Sequence, residues 1–226
     1  MIIIIRTLFL SLLALGVVLP NSSAQETLWD LKKNEDGIKV YSKRVKNSPL
    51  LAFKAVTEVD YPVSKVATVI KDSKRRSEWV PEILEIKVIE KISLTEQIEY
   101  QKVNSPWPLK DREILVYGKI LFNDEKKQFE IWVKSTERDD VPVGENCIRA
   151  VLMGSSYFIK PIGRNKTRLT VEIHLDPKGM VPKWIVNWVQ KGWSFKYMEG
   201  FRKQVAKPDI VVEEEVKKKF QELGYE

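Results

Sequence analysis

Residues 167–205 read TRLTVEIHLDPKGMVPKWIVNWVQKGWSFKYMEGFRKQV, and two periodicities meet within this stretch. In its first part Leu169, Val171, Ile173 and Leu175 alternate with Arg168, Thr170, Glu172 and His174. Period two with one apolar face describes a half-buried antiparallel strand and puts His174 on the solvent side. Asp176-Pro177-Lys178-Gly179 then ends the strand. A long helix is predicted from about Val181 to Val205, with Pro182 in its first turn. Its apolar residues, from Trp184, Ile185, Val186, Trp188 and Val189 to Trp193, Phe195, Tyr197, Met198 and Phe201, cover most of the circumference. A helix apolar nearly all round is buried on more than one side. A sheet curled around that helix satisfies this demand and leaves room for an internal cavity.

The residues upstream supply the sheet. Two short β-like stretches flank Asp36-Gly37, a hairpin signal, within 28–45. A third strand is predicted over 50–59, broken by Asp60-Tyr61-Pro62. Val63, Val66, Ala67 and Ile70 then share one face of a helix over 62–71, and residues 73–79 form a short turn. Further strands are predicted over 84–92, 97–103, 113–122, 128–136, 147–159 and 167–175, separated by turn signals such as 104–108 and 139–145. The reading is one α+β domain over 25–207. Pro208 sets off a charged helical tail over 208–226, with Glu213–Lys217, Glu214–Lys218 and Glu215–Lys219 pairs, expected to be solvated.

Met1 to Ala24 reads as a secretory signal peptide: Arg6 near the start, an apolar run over 8–19, and Ser22-Ser23-Ala24 before the cleavage point. Export is therefore expected, to the periplasm if the cell has an outer membrane and otherwise to the medium. Without Arg6 the remaining chain carries 37 basic and 31 acidic residues, a net charge of +6. That charge suits an anionic lipid surface or plain solubility. Export disfavours nucleic acid as a partner. One cysteine, Cys147, excludes a disulfide scaffold, and one histidine, His174, excludes every two-His metal motif. No cofactor is expected, and the chain is read as a monomer.

Four segments, in order, carry a family resemblance. They are Trp79-Val80 followed by 84–89 (LEIKVI), residues 106–113 (PWPLKDRE), residues 148–161 (IRAVLMGSSYFIKP) and residues 176–187 (DPKGMVPKWIVN). With them the chain resembles the START family, the steroidogenic-acute-regulatory-related lipid-transfer domains, in an exported bacterial form. The resemblance implies a helix-grip fold: a curved antiparallel sheet wrapped around the C-terminal helix, with an internal hydrophobic tunnel for one lipid. It implies binding or transfer of that lipid without chemistry, and transient contact with a membrane.

It also implies site residues. Sterol-binding members carry a buried Glu–Arg pair. Glu99 matches the acid, but Gly118 stands where the arginine would be, so Glu99 must find another partner or be exposed. Arg149 either meets a headgroup as a fork of donors or pins the neighbouring loop through Asp139, Asp140 or Glu145, and pinning is preferred. Trp107, Met153, Tyr157, Trp184 and Trp188 complete the tunnel candidates. Trp107 is also expected to brace its proline-rich turn, which Arg112 and Glu113 lock. The gate is expected at about 137–146, whose apolar tip is Val141, Pro142 and Val143. The alternative is an enzyme of cyclase or hydratase type on the same scaffold, with Glu99, Tyr100, Tyr117, Arg149 and Tyr157 as its acid–base candidates.

Overall fold

The computed structural model describes residues 28–225. The expected leader, 1–24, lies outside them. Ten strands form one sheet: β1 (Asp30–Glu35), β2 (Ile38–Arg44), β3 (Leu51–Val59), β4 (Ile83–Lys91), β5 (Glu96–Val103), β6 (Asp111–Asn123), β7 (Gln128–Ser135), β8 (Cys147–Arg149), β9 (Val151–Gly163) and β10 (Lys166–Asp176). Among the described residues three helices join them: α1 (Val63–Lys71), α2 (Lys183–Val205) and α3 (Glu214–Glu222). A 3-10 turn occupies Arg76–Glu78. The strand order is β1-β2-β3-β10-β9-β7-β6-β5-β4, all antiparallel, with the short β8 running parallel to β6. This is the expected α+β helix grip, a curved antiparallel sheet with a long helix near the C-terminus.

Local chemistry explains the element ends. Asp36 and Gly37 both take positive φ, 49° and 73°, as a two-residue hairpin between right-twisted strands requires. Pro62 and Pro182 stand at the N-caps of α1 and α2, one residue before the first helical position. Their fixed φ leads into a helix without sacrificing an amide donor. The strand expected over 147–159 is divided at Ala150, whose N–H donates to the Glu113 carbonyl at 2.9 Å. There the chain changes partner, from β6 to β7.

The C-terminal half of α2 supplies the centre of the core. Phe195, Met198, Phe201 and Val205 are buried there with Val63, Val66, Ala67 and Ile70 of α1 and Ile38, Val40, Phe53 and Leu169 of the sheet. Each of these side chains other than Ala67 contributes about 1.5–3 kcal/mol on burial. Gly200 permits the closest approach: a Cβ there would lie 2.1 Å from the Trp79 carbonyl oxygen. Trp79 packs edge-on against Tyr197 and Phe201.

The tail differs from its expectation. Phe220 is buried and meets Phe122, Phe129 and Tyr225 at ring distances of 6.0, 5.6 and 6.1 Å. The Tyr225 hydroxyl lies 3.1 and 3.2 Å from the carbonyls of Asn123 and Gln128. The Glu–Lys pairs describe one face of α3; the other docks on the core. His174 is also less exposed than its strand face suggested. Its Nε2 lies 3.2 Å from Ser48 Oγ, and burial lowers its pKa.

Candidate functional site

The N-terminal half of α2 stands off β4–β7 and leaves a cavity of about 800 Å³. Strand alternation selects its wall. Ile114, Val116, Gly118 and Ile120 of β6 line it, as do Gln97, Glu99 and Gln101 of β5. From α2 come Ile185, Val189, Gly192 and Lys196, which follow one side of the helix. The wall reaches surface elements at the β4–β5 turn, where Leu94 is exposed, and at Pro106, Leu109, Pro177 and Val181. Most of the interior wall is aliphatic.

A polar cluster on β5 interrupts it. Arg76 Nη1 donates to Glu99 Oε2 at 2.6 Å, and Nη2 reaches Glu99 Oε1 and the Ile70 carbonyl, each at 3.4 Å. Gln97 Nε2 donates to Glu99 Oε1 at 2.6 Å, and Gln101 Nε2 to Glu99 Oε2 at 3.1 Å. Burial opposes the charge on Arg76, but the Glu99 carboxylate outweighs it and raises the arginine's pKa. The partner of Glu99 therefore lies on the 3-10 turn, 23 positions upstream, and Gly118 belongs to the bare wall.

The other expected residues divide between wall and exterior. Tyr157 and Trp188 line the cavity. Trp184 does not: it sits on the helix one position before Ile185, about 100° round from the cavity side, and is 73% exposed. Met153 is turned outward by a bulge in β9, because Leu175 pairs with Leu152 and His174 with Gly154. The bulge moves the cavity face from Ala150 and Leu152 to Ser155 and Tyr157. Trp107, in the turn between β5 and β6, is 93% exposed, while Pro106 and Leu109 of that turn face the cavity.

Arg149 takes the pinning role, though through none of the acids expected. It donates to Glu113 Oε1 at 2.8 and 3.1 Å and to the carbonyls of Val141 and Pro142 at 3.0 and 3.3 Å. The Glu113 side chain is 1% exposed and also accepts from Gly144 N–H and the Tyr100 hydroxyl. Burial pushes the Glu113 carboxyl up, but these donors and the Arg149 charge hold it below its ordinary value. Burial and the Glu113 bond push the Tyr100 phenol up to about 12. The loop carrying Val141, Pro142 and Val143 is thus tied down beside the sheet, and none of the three lines the cavity. Arg112 binds the elements that do: its guanidinium donates to the carbonyls of Lys110, Pro177 and Lys178 and to Ser105 Oγ. It joins the β5–β6 turn to the segment before α2, as its turn-locking role required.

Besides the aliphatic wall, sequence reasoning missed the polar wall residues Arg76, Gln97 and Gln101. The glutamines had a signal, two positions either side of Glu99 on a strand. Arg76 had none, since pairing across the sheet mouth depends on how the turn after α1 folds back.

The comparisons with known proteins agree with this geometry. The START domain family model matches residues 14–209. An uncharacterized protein of Pseudomonas aeruginosa is 25% identical over 206 residues, covering 90% of this chain and 98% of that one. The phosphatidylcholine transfer protein of Mus musculus is 25% identical over 166 residues, covering 72% and 77%. The crystal structure of human STARD10 superposes with a TM-score of 0.74 at 25% identity, covering 86% of this chain and 77% of that one. With its cavity between curved sheet and terminal helix, and with a family match over most of its length, this chain belongs to the START domain family.

Proposed function

We propose that the chain is an exported carrier that holds one lipid in the cavity and catalyses no reaction on it. The observation that carries this reading is the 800 Å³ chamber, walled mostly by apolar side chains, whose buried arginine and glutamate neutralise each other. Such a chamber suits a long apolar ligand with one polar end. Lipid binding in a hydrophobic cavity is the common ground of its START relatives. Export rests on the composition of 1–24. Of the acid–base candidates, Tyr100 bonds Glu113 outside the cavity, and Arg149 is committed to the loop. Tyr117 lies on the face of β6 opposite Val116 and Gly118. A carrier fits this arrangement better than a cyclase or hydratase.

The carrier meets a membrane, in this reading, at the segment leading into α2. Met180, Trp184 and Trp188 are exposed there, and Arg112 fastens that segment to the turn bearing exposed Trp107. Exposed aromatics beside a lipid chamber suit a bilayer interface. The test is transfer of a fluorescent lipid between donor and acceptor vesicles. Acceleration by catalytic amounts of protein is expected; no uptake and no transfer would reject the proposal.

A further inference from the structure

The outer face of the sheet carries a groove that the chamber does not use. Phe158 and Lys160 of β9, with Arg168 and Thr170 of β10, point away from the interior, on the side opposite Tyr157, Ile159, Leu169 and Val171. Together with Lys126 of the β6–β7 turn and Gln128 of β7 they line a space of about 330 Å³. Among the described residues no carboxylate lines it. The acids of this face are engaged elsewhere. Glu130 is 5% exposed and accepts from Asn123, Gln128 and Trp132. Glu58 holds Arg168 and Lys166, and Glu172 stands across from Lys54.

The cations are left open. Lys126 and Lys160 are exposed and form no ion pair among the described residues. Arg168 gives Nε and Nη2 to Glu58 Oε1 at 3.0 and 2.7 Å, which leaves its Nη1 uncommitted. An apolar step adjoins them. Trp132 meets Phe158 edge-on at 5.6 Å and is 44% exposed, and Leu121, across from Glu130 on the same face, is 41% exposed. Cations at phosphate level beside an exposed indole suit the interface of an anionic bilayer.

We infer that this groove is a second membrane-contact site, one that seats the phosphate of an anionic lipid still in its bilayer. Its place in the fold separates it from the chamber. β10 is 11 residues long, about 35 Å. Arg168 stands near its start, and the chamber reaches the surface just past its end, at Pro177 and Val181. The groove is also on the opposite face of the sheet. Contact through it leaves the chamber's opening clear of that bilayer, so it tethers the chain without loading it. This goes beyond the carrier reading and does not depend on it.

The experiment measures co-sedimentation of the full chain with vesicles of phosphatidylcholine, alone or mixed with phosphatidylglycerol. Tighter binding to the anionic vesicles is expected, and it weakens as salt is raised. A lysine near such a surface is worth about fivefold in affinity, so Lys126→Gln/Lys160→Gln should bind them about thirtyfold more weakly. That variant should still take up fluorescent lipid from phosphatidylcholine vesicles at the wild-type level. If it binds anionic vesicles as wild type does, or if Trp107→Ser alone abolishes that binding, the inference is overturned and the carrier reading stands. Displacement by glycerol phosphate, at an ionic strength where sodium chloride has no effect, would assign the groove to a soluble phosphate and overturn the bilayer as its occupant. If the wild-type chain takes up no lipid yet holds anionic vesicles through the two lysines, the groove stands and the carrier reading falls.

Discussion

Replacing Arg76 with Met strands Glu99 in an apolar wall. The pair is close, 2.6 Å, with the side chains 16% and 7% exposed. Removing one partner of a buried ion pair costs about 3–5 kcal/mol. Here Gln97 and Gln101 still donate to the carboxylate, and the chamber admits water, so the lower end, about 3 kcal/mol, is expected at pH 7. For a chain of this size that is a fall of about 6–12 °C in melting temperature. The deficit against wild type is read by urea denaturation at pH 7. Arg76→Met/Glu99→Gln recovers most of the loss. A deficit below about 1 kcal/mol at pH 7, or one that the added Glu99→Gln leaves in place, would refute the reasoning.

Other perturbations test other parts. At Gly118 a Cβ finds its nearest neighbours 4.0 Å away, so Gly118→Leu fills the chamber without a clash; lipid uptake from vesicles should drop at least about tenfold with the fold intact, as read by circular dichroism. Phe220→Ala should destabilise by about 3–5 kcal/mol in chemical denaturation, where a solvated tail would lose less than about 0.5. Glu113 is held below its ordinary value of 4.5, so the stability it contributes is complete above that pH and is lost as pH falls through its folded-state value. Glu113→Gln should therefore lose less stability than wild type between about pH 5 and pH 3, as followed by thermal melts.

The alternation in 167–175 and the broad apolar girth of 181–205 made the sheet-and-helix plan legible, because both periodicities are local and both faces are buried by the same partner. Residues whose role depends on non-local packing were less legible. Trp184 and Trp188 look equivalent on a wheel, yet only Trp188 reaches the cavity side. Met153 and Tyr157 share strand parity until a bulge intervenes. The apolar face of α3, Val216, Phe220 and Leu223, was hidden among charged pairs that fit a solvated helix equally well. Glu99 was found as an acid needing a cation, but the cation came from a turn rather than from the adjacent strand. Arg149 was read as a loop pin, while its acid, Glu113, was read only as a turn residue.

The central claim is that the chamber holds one lipid per chain. Native mass spectrometry of the protein purified from its own host, before and after incubation with vesicles, tests it most directly. The account predicts a single mass increment per chain, released by organic extraction as one lipid class. A chain that stays at its bare mass in both samples would contradict it.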